Sequence, residues 1–231
     1  KKIYNKQLSK VDQIVAISNY VKNEISKKYN LDSNKIKVIN RGVDVKYFEK
    51  PIFDSQIENI ISKYQIDTSK NIILYPARLT NWKGQVEFLD IFNKIQNNNL
   101  TLYFVGDTKN RSYTGKLENK IKNLNLGNNC KIIGNLSRDD LKILYYLSSI
   151  ILSFPLQGEG FGRIISEALI MKKKILAFNY GGVRDQLEKL DDIYKVDPHK
   201  YSDIATKLQN ILKLDDENFF NISSLSKEHI S

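Results

Sequence analysis

The sequence predicts an α/β protein built on a doubly wound parallel sheet, and three observations carry that expectation. Short β-rich runs alternate with stretches of helical period, several of the runs are apolar almost throughout, and two helical stretches open on a good capping residue. Parallel strands need crossover connections, which intervening helices supply. A run such as Ile150-Ile-Leu-Ser-Phe154 has the composition of a strand covered on both faces.

In chain order, strands are expected at Gln13–Ala16, Lys37–Ile39, Ile72–Tyr75, Thr101–Val105, Lys131–Ile133, Ile150–Phe154, Lys174–Phe178 and Ile193–Val196. Val86–Ile95, Asp140–Leu147 and Ile164–Met171 carry apolar residues with a period near 3.6 and read as helices between them. Ser18 before Val21–Tyr29 and Ser137 before Asp140–Leu147 are the capping residues. About six strands follow from Ile72 onward, the size of a complete Rossmann-like unit. Residues 1–40 give one strand–helix–strand piece and read as the trailing edge of a preceding domain. Residues 41–53, polar and containing Pro51, read as a linker, and residues 54–231 as the main C-terminal domain. The opening Lys1-Lys-Ile-Tyr-Asn5 has no Met, which leads us to expect a piece of a longer chain.

Composition narrows the function classes. With 41% hydrophobic and 10% aromatic residues, the 231-residue chain has enough apolar material for a sizeable core. The 36 Lys and Arg against 26 Asp and Glu give a net charge of +10. That favours anionic ligands, anionic membrane surfaces or nucleic acid, without choosing among them. Much of this charge is Lys scattered along helices, the pattern of a solvated face. No dense basic block interleaved with aromatics argues for nucleic acid. The single Cys130, at the head of an apolar run, reads as a buried thiol in a reducing cytosol. No run approaches the roughly 20 apolar residues of a membrane span.

In such sheets ligands sit beyond the carboxyl ends of the strands, so the residues just after strands are the informative ones. Three such loops stand out. Pro76-Ala-Arg78-Leu-Thr-Asn-Trp-Lys83-Gly84 places a guanidinium and an ammonium at a strand end and a helix start, a pairing suited to a diphosphate. Two solvated loop cations would look the same. Pro155-Leu-Gln-Gly158-Glu159-Gly160-Phe161-Gly162-Arg163 has three glycines in five positions, which permit close backbone approach to a ligand, and leads into a helix carrying Glu167. Glu167 reads either as an exposed-face residue or as a ligand to hydroxyls such as those of ribose. Asn179-Tyr180-Gly181-Gly182-Val183-Arg184-Asp185 again permits close approach, or is an ordinary strand-to-helix turn.

Other chemistries fit less well. The Gly158-x-Gly160-x-Gly162 run has Arg163 where a dinucleotide fingerprint wants Gly or Ala, and Asn179 where it wants an acid. Gly115-Lys116 is followed by Leu117, so there is no P-loop. His199 and His229 lack Cys or His partners for zinc, and no nucleophile elbow is present.

Asn40-Arg-Gly-Val-Asp44, Ala77-Arg-Leu-Thr-Asn-Trp-Lys-Gly-Gln85, Val105-Gly-Asp107, Glu159-Gly-Phe-Gly-Arg-Ile-Ile-Ser-Glu167-Ala-Leu and Gly181-Gly182 together resemble the C-terminal domain of GT-B glycosyltransferases of the retaining family four. The resemblance covers residues 38–190. It implies that Arg78 and Lys83 clamp a donor diphosphate and that Glu167 accepts from ribose hydroxyls. It further implies that Glu159 lies beside the transferred sugar while the backbone of Gly160, Phe161 and Gly162, with Gly181 and Gly182, contacts the donor. Transfer with retention, no metal or cofactor, and a nucleotide-sugar donor follow from the same resemblance. So do a glycan or lipid-linked acceptor held by a preceding domain, cytoplasmic work on cell-envelope polysaccharide, and peripheral contact with the inner membrane face. His199 and His229 then have no catalytic part, and the isolated chain is expected to bind donor weakly without transferring it. Three positions depart from the family pattern: Lys172-Lys-Lys-Ile175 replaces Gly-x-Pro-Val, Asp185 replaces Glu, and Thr108 follows Gly106-Asp. Two alternatives remain, a GT-B-like epimerase or phosphorylase and a non-catalytic nucleotide- or anion-binding module.

Overall fold

The computed structural model describes residues 7, 10–95 and 97–215. His229 and the last stretch of the expected C-terminal domain lie outside them. Two parallel sheets are present among the described residues. The first pairs β1 (Ile14–Ala16) with β2 (Ile36–Val38) across helix α1 (Asn19–Tyr29), around a small core of Ile14, Ala16 and Ile36. Ser18 caps α1 as its sequence position suggests, its hydroxyl accepting from Val21 N–H at 3.1 Å.

Residues 41–53, read as a polar linker, contain a helical turn, α2 (Val45–Glu49). Asp44 caps it by accepting from Tyr47 N–H at 3.0 Å, and burial of Phe48 anchors it. At its other end Lys142 Nζ donates to the carbonyls of Tyr47 (3.0 Å) and Lys50 (2.7 Å). Five residues are too few for a period to show in the sequence, so the cap and the cross-chain lysine decide the conformation.

Helix α3 (Asp54–Tyr64) then leads into the larger sheet, built from β3 (Asn71–Pro76), β4 (Leu100–Val105), β5 (Cys130–Gly134), β6 (Ile150–Ser153), β7 (Lys174–Phe178) and β8 (Lys195–Val196). All its pairings are parallel, in the order β5-β4-β3-β6-β7-β8. The crossovers are helices α4 (Gln85–Ile95), α5 (Arg111–Asn123), α6 (Arg138–Leu147), α7 (Arg163–Ile170) and α8 (Val183–Leu187), and α9 (Asp203–Lys213) follows β8. The doubly wound α/β expectation holds, and every residue of β4, β6 and β7 is buried. Ile193 and Tyr194, expected in the last strand, form a 3-10 turn instead, because Asp191 accepts from Ile193 N–H and caps it. Helix α5 escapes the sequence reading because its apolar stripe, Tyr113, Leu117 and Ile121, is thin and interrupted by Gly115.

The strand order reverses between β3 and β6, and a crevice opens beyond the carboxyl ends at such a switch point. Tyr75, near the end of β3, is buried in the core. It packs against Phe88, Phe104 and Phe154, donates to the carbonyl of Lys83 at 2.5 Å and accepts from Phe154 N–H at 3.1 Å. One core phenol thus fixes the loops after β3 and after β6 relative to each other.

Candidate functional site

A cleft of about 450 Å³ lies beyond the carboxyl ends of β3 and β4, lined by Arg78, Lys83, Asp107, Tyr145, Glu159 and Glu167 among others. Four residues from separate loops and a helix, singled out in the sequence for a diphosphate and its sugar, therefore face one space. A larger cleft of about 750 Å³ sits at the ends of β7 and β8, and His199 lines it. None of those four residues reaches it. Lys207 there is spent on the carbonyls of Asp192 and Lys195, and Lys195 on the Asp192 carboxylate. The smaller cleft, at the switch point, is the better candidate.

The four charged residues are held in different ways. Arg78 is exposed at the end of β3, and its side chain makes no hydrogen bond or ion pair among the described residues. Its backbone is fixed instead, because Gln85 Nε2 donates to the Arg78 carbonyl at 3.0 Å and Gln85 Oε1 accepts from Tyr113. Lys83 ends a 3-10 turn (Asn81–Lys83), with its Nζ 4.3 Å from the Trp82 ring centroid. The same Nζ meets Glu159 Oε1 at 2.5 Å, with only 8% and 19% of the two side chains exposed. Glu159 Oε2 is buried without a hydrogen-bond partner among the described residues. An orphaned buried acceptor is costly unless a donor arrives. Here it is a carboxylate oxygen beside an ammonium at the wall of a cleft.

Glu167 sits within α7 and is fully engaged. Tyr145 O–H donates to Oε2 and Arg163 to Oε1, each at 3.0 Å. Burial pushes its carboxyl above the usual range, while Arg163 and Tyr145 pull it back. Burial likewise holds the Tyr145 phenol neutral.

The glycines of these loops also shape how the chain packs on itself. Gly160, Phe161, Gly162, Gly181 and Gly182 do not line the cleft, and Phe161 is buried. A Cβ at Gly181, whose φ is +68°, would come 2.7 Å from Glu159 N and 2.8 Å from Glu159 O. One at Gly182 would strike the Gly160 carbonyl. At this glycine pair the close approach is made between two loops of the chain. The glycine pair presses the loop after β7 against the loop bearing Glu159.

That interlock controls which way the Glu159 loop's peptides face. The Glu159 carbonyl accepts from Gly182 N–H at 2.7 Å, the Gly160 carbonyl from Ser18 Oγ at 2.6 Å, and the Phe161 carbonyl from Gln186 Nε2. In a trans peptide the N–H points opposite to the C=O. The N–H groups of Gly160, Phe161 and Gly162 are therefore turned away from those partners, and none has an acceptor among the described residues. Helix α7 begins directly after them, and its cap Gly162 (φ +85°) offers no side-chain oxygen. Successive free N–H groups leading into a helix start form an anion-binding concavity.

Sequence reasoning misses Tyr75, Gln85, Tyr145, Arg163 and Gln186 as parts of this site. Each acts by orienting another group, and residue type and spacing do not reveal such roles. A polar terminus on an otherwise apolar face, as with Tyr145 in α6, is the one available signal.

The model of the family described as glycosyl transferases group 1 matches residues 56–220, and that of glycosyltransferase family 4 matches residues 1–47. An uncharacterized glycosyltransferase of Methanocaldococcus jannaschii is 24% identical over 201 residues, covering 87% of this chain and 50% of the relative. A trehalose synthase of Thermococcus litoralis is 22% identical over 166 residues, covering 68% of this chain and 40% of the relative. The crystal structure of a glycosyltransferase from Rickettsia africae superposes with a TM-score of 0.87 at 32% identity, over 99% of this chain and 61% of that one. Anabaena HepE in complex with UDP and glucose superposes with a TM-score of 0.85 at 21% identity, over 100% of this chain and 61% of that one. The chain thus spans about two-fifths to three-fifths of the length of these relatives. Together with the doubly wound sheet, the match over residues 56–220 places this chain in the glycosyl transferases group 1 family, that stretch being the C-terminal domain of a GT-B glycosyltransferase.

Proposed function

We propose that the cleft binds a nucleoside diphosphate sugar and that the complete enzyme transfers the sugar to an acceptor hydroxyl with retention. The observation that carries this reading is the convergence of Arg78, Lys83, Glu159 and Glu167 on one cleft. The crystal structures of HepE hold UDP, UDP-glucose, or UDP with glucose, which makes uridine the first base to test.

In this reading the diphosphate lies across Arg78, Lys83 and the N–H groups of Gly160 and Phe161. The bond from the sugar's anomeric carbon to the phosphate oxygen breaks, and the diphosphate leaves with that electron pair. The acceptor oxygen bonds the anomeric carbon from the same face, and its proton passes to the leaving phosphate. Fixed donors meet charge as it develops, each worth roughly 3–4 kcal/mol in kcat. Two cations with backbone N–H groups neutralise the leaving group without a metal, so chelation with EDTA leaves binding unchanged. Glu159 Oε2 accepts from a sugar hydroxyl. Glu167 has acceptor capacity beyond Tyr145 and Arg163, because a carboxylate offers about four lone-pair sites, and it takes the ribose hydroxyls.

Thermal shift of this chain with UDP-, GDP- and ADP-sugars tests the proposal. A rise in Tm with one of them, lost in Glu167→Ala and Arg78→Ala, supports it. Equal silence toward all three overturns it. The acceptor, a glycan or lipid-linked sugar at the inner membrane face, is part of the same proposal; sedimentation with anionic and neutral liposomes tests the membrane contact.

A further inference from the structure

Three consecutive residues of the first unit touch the larger domain, Ser18 and Tyr20 at the Glu159 loop and Asn19 at the start of α8. Ser18, fully buried, donates its hydroxyl to the Gly160 carbonyl at 2.6 Å while accepting from Val21 N–H at 3.1 Å. The direction of its proton is unambiguous, since a carbonyl can only accept and an N–H can only donate. Asn19 meets Asp185 twice, its backbone N–H and its Nδ2 both reaching Oδ2, at 2.9 and 3.2 Å. The Tyr20 ring stands edge-on to Tyr180, with centroids 5.9 Å apart, and its hydroxyl fills the notch left by the missing side chain of Gly158.

These contacts fall on the peptide that matters most in the donor reading. The Gly160 carbonyl and the Phe161 N–H belong to one planar unit. A hydroxyl that fixes the carbonyl therefore fixes the N–H on the opposite side. We infer that Ser18, outside the cleft, is a positioning residue for the donor's diphosphate. It holds the Gly160–Phe161 peptide so that the Phe161 N–H faces the distal phosphate, with Asn19 and Asp185 clamping the neighbouring loop in register. Asp185, where the family pattern has Glu, is given a use that way, as a short acceptor for Asn19. The inference rests on the donor reading and adds that the first unit, joined to the larger domain by the linker, sets the geometry of its phosphate subsite.

The test compares UDP with UMP by calorimetry on the full chain, because only UDP presents the second phosphate. Wild type is expected to favour UDP over UMP. Ser18→Ala is expected to cut that preference about tenfold, roughly one hydrogen bond to a charged group, while UMP affinity stays within a factor of about two. Ser18→Thr, which keeps the hydroxyl, restores the preference. A purely structural role lowers both affinities together and fails to reproduce this split. Should Ser18→Ala fold poorly, Ser18→Gly removes the same hydroxyl at a smaller capping cost. An unchanged UDP-to-UMP ratio in the folded variant overturns the inference while leaving the donor reading intact. A wild-type chain that binds neither nucleotide overturns the donor reading, and this inference with it.

Discussion

The two glutamates of the cleft occupy contrasting environments. Glu159 is on a loop, has one oxygen on Lys83 at 2.5 Å and leaves the other buried with no partner among the described residues. Glu167 is on a helix, with one oxygen on Arg163 and the other on Tyr145. The first is incomplete within the protein and the second is satisfied by it. Under the donor reading proposed above, a ligand hydroxyl relieves a cost at Glu159, whereas at Glu167 it joins a carboxylate already oriented. The loop acid is suited to sensing what is bound, and the helical acid to presenting a fixed acceptor.

The largest expected effects come from the cations, which also differ in how far each is tied to an acid. In the complete enzyme, Arg78→Ala or Lys83→Ala is expected to lower turnover about 100-fold or more, measured by release of labelled diphosphate. Stability separates the two. Arg78 is exposed, so its loss leaves Tm near wild type. Losing Lys83 strands a carboxylate that is 19% exposed, and Tm falls. Equal Tm values for the two variants would break the contrast between a free and a paired cation.

Next in size are the acids themselves. Glu167→Gln keeps shape but weakens acceptance from ribose hydroxyls, and about tenfold weaker UDP binding is expected by calorimetry. Glu159→Gln leaves UDP affinity within about threefold, since the nucleotide alone does not reach Oε2, but weakens the UDP-sugar by about tenfold. If both variants lose UDP affinity alike, the two ends of the cleft are not distinct.

Much of this is legible in the sequence. The strands β3, β4, β6 and β7 can be read because each is a run apolar on both faces, bounded by helical periods. Arg78, Lys83 and Glu159 stand out because they lie in loops that follow strands, and Glu167 because it is a charge in a mostly apolar helix, though each alone also fits a solvated residue. For the glycines, the sequence shows the property of close approach but not the intrachain partner. Gly181 and Gly182 allow close approach to the backbone of Glu159 and Gly160, a partner that tertiary proximity supplies and neither loop's own sequence records. Ser18 shows the same limit. Its cap on α1 is a local fact visible from its neighbours, while its bond to Gly160 spans 142 residues.

The smallest predicted effect concerns pH and sharpens the claim that Glu167 is held for function at some cost to the fold. Burial raises its carboxyl above the ordinary value, more than Arg163 and Tyr145 lower it. The native chain therefore holds a proton there more tightly than the unfolded chain does. Linkage fixes the sign: the contribution to stability is present below the unfolded pKa of about 4.3 and is lost as pH rises through the higher folded value. A glutamine side chain does not titrate, so this loss disappears in Glu167→Gln. Tm of the variant minus Tm of wild type should thus increase as pH is raised from about 4 toward neutrality, whatever constant offset the lost Arg163 pairing adds. A difference that is flat or decreases with pH would mean that Arg163 and Tyr145 compensate the charge fully. Glu167 would then be an ordinary stabilising ion pair rather than an acceptor kept at the expense of the fold.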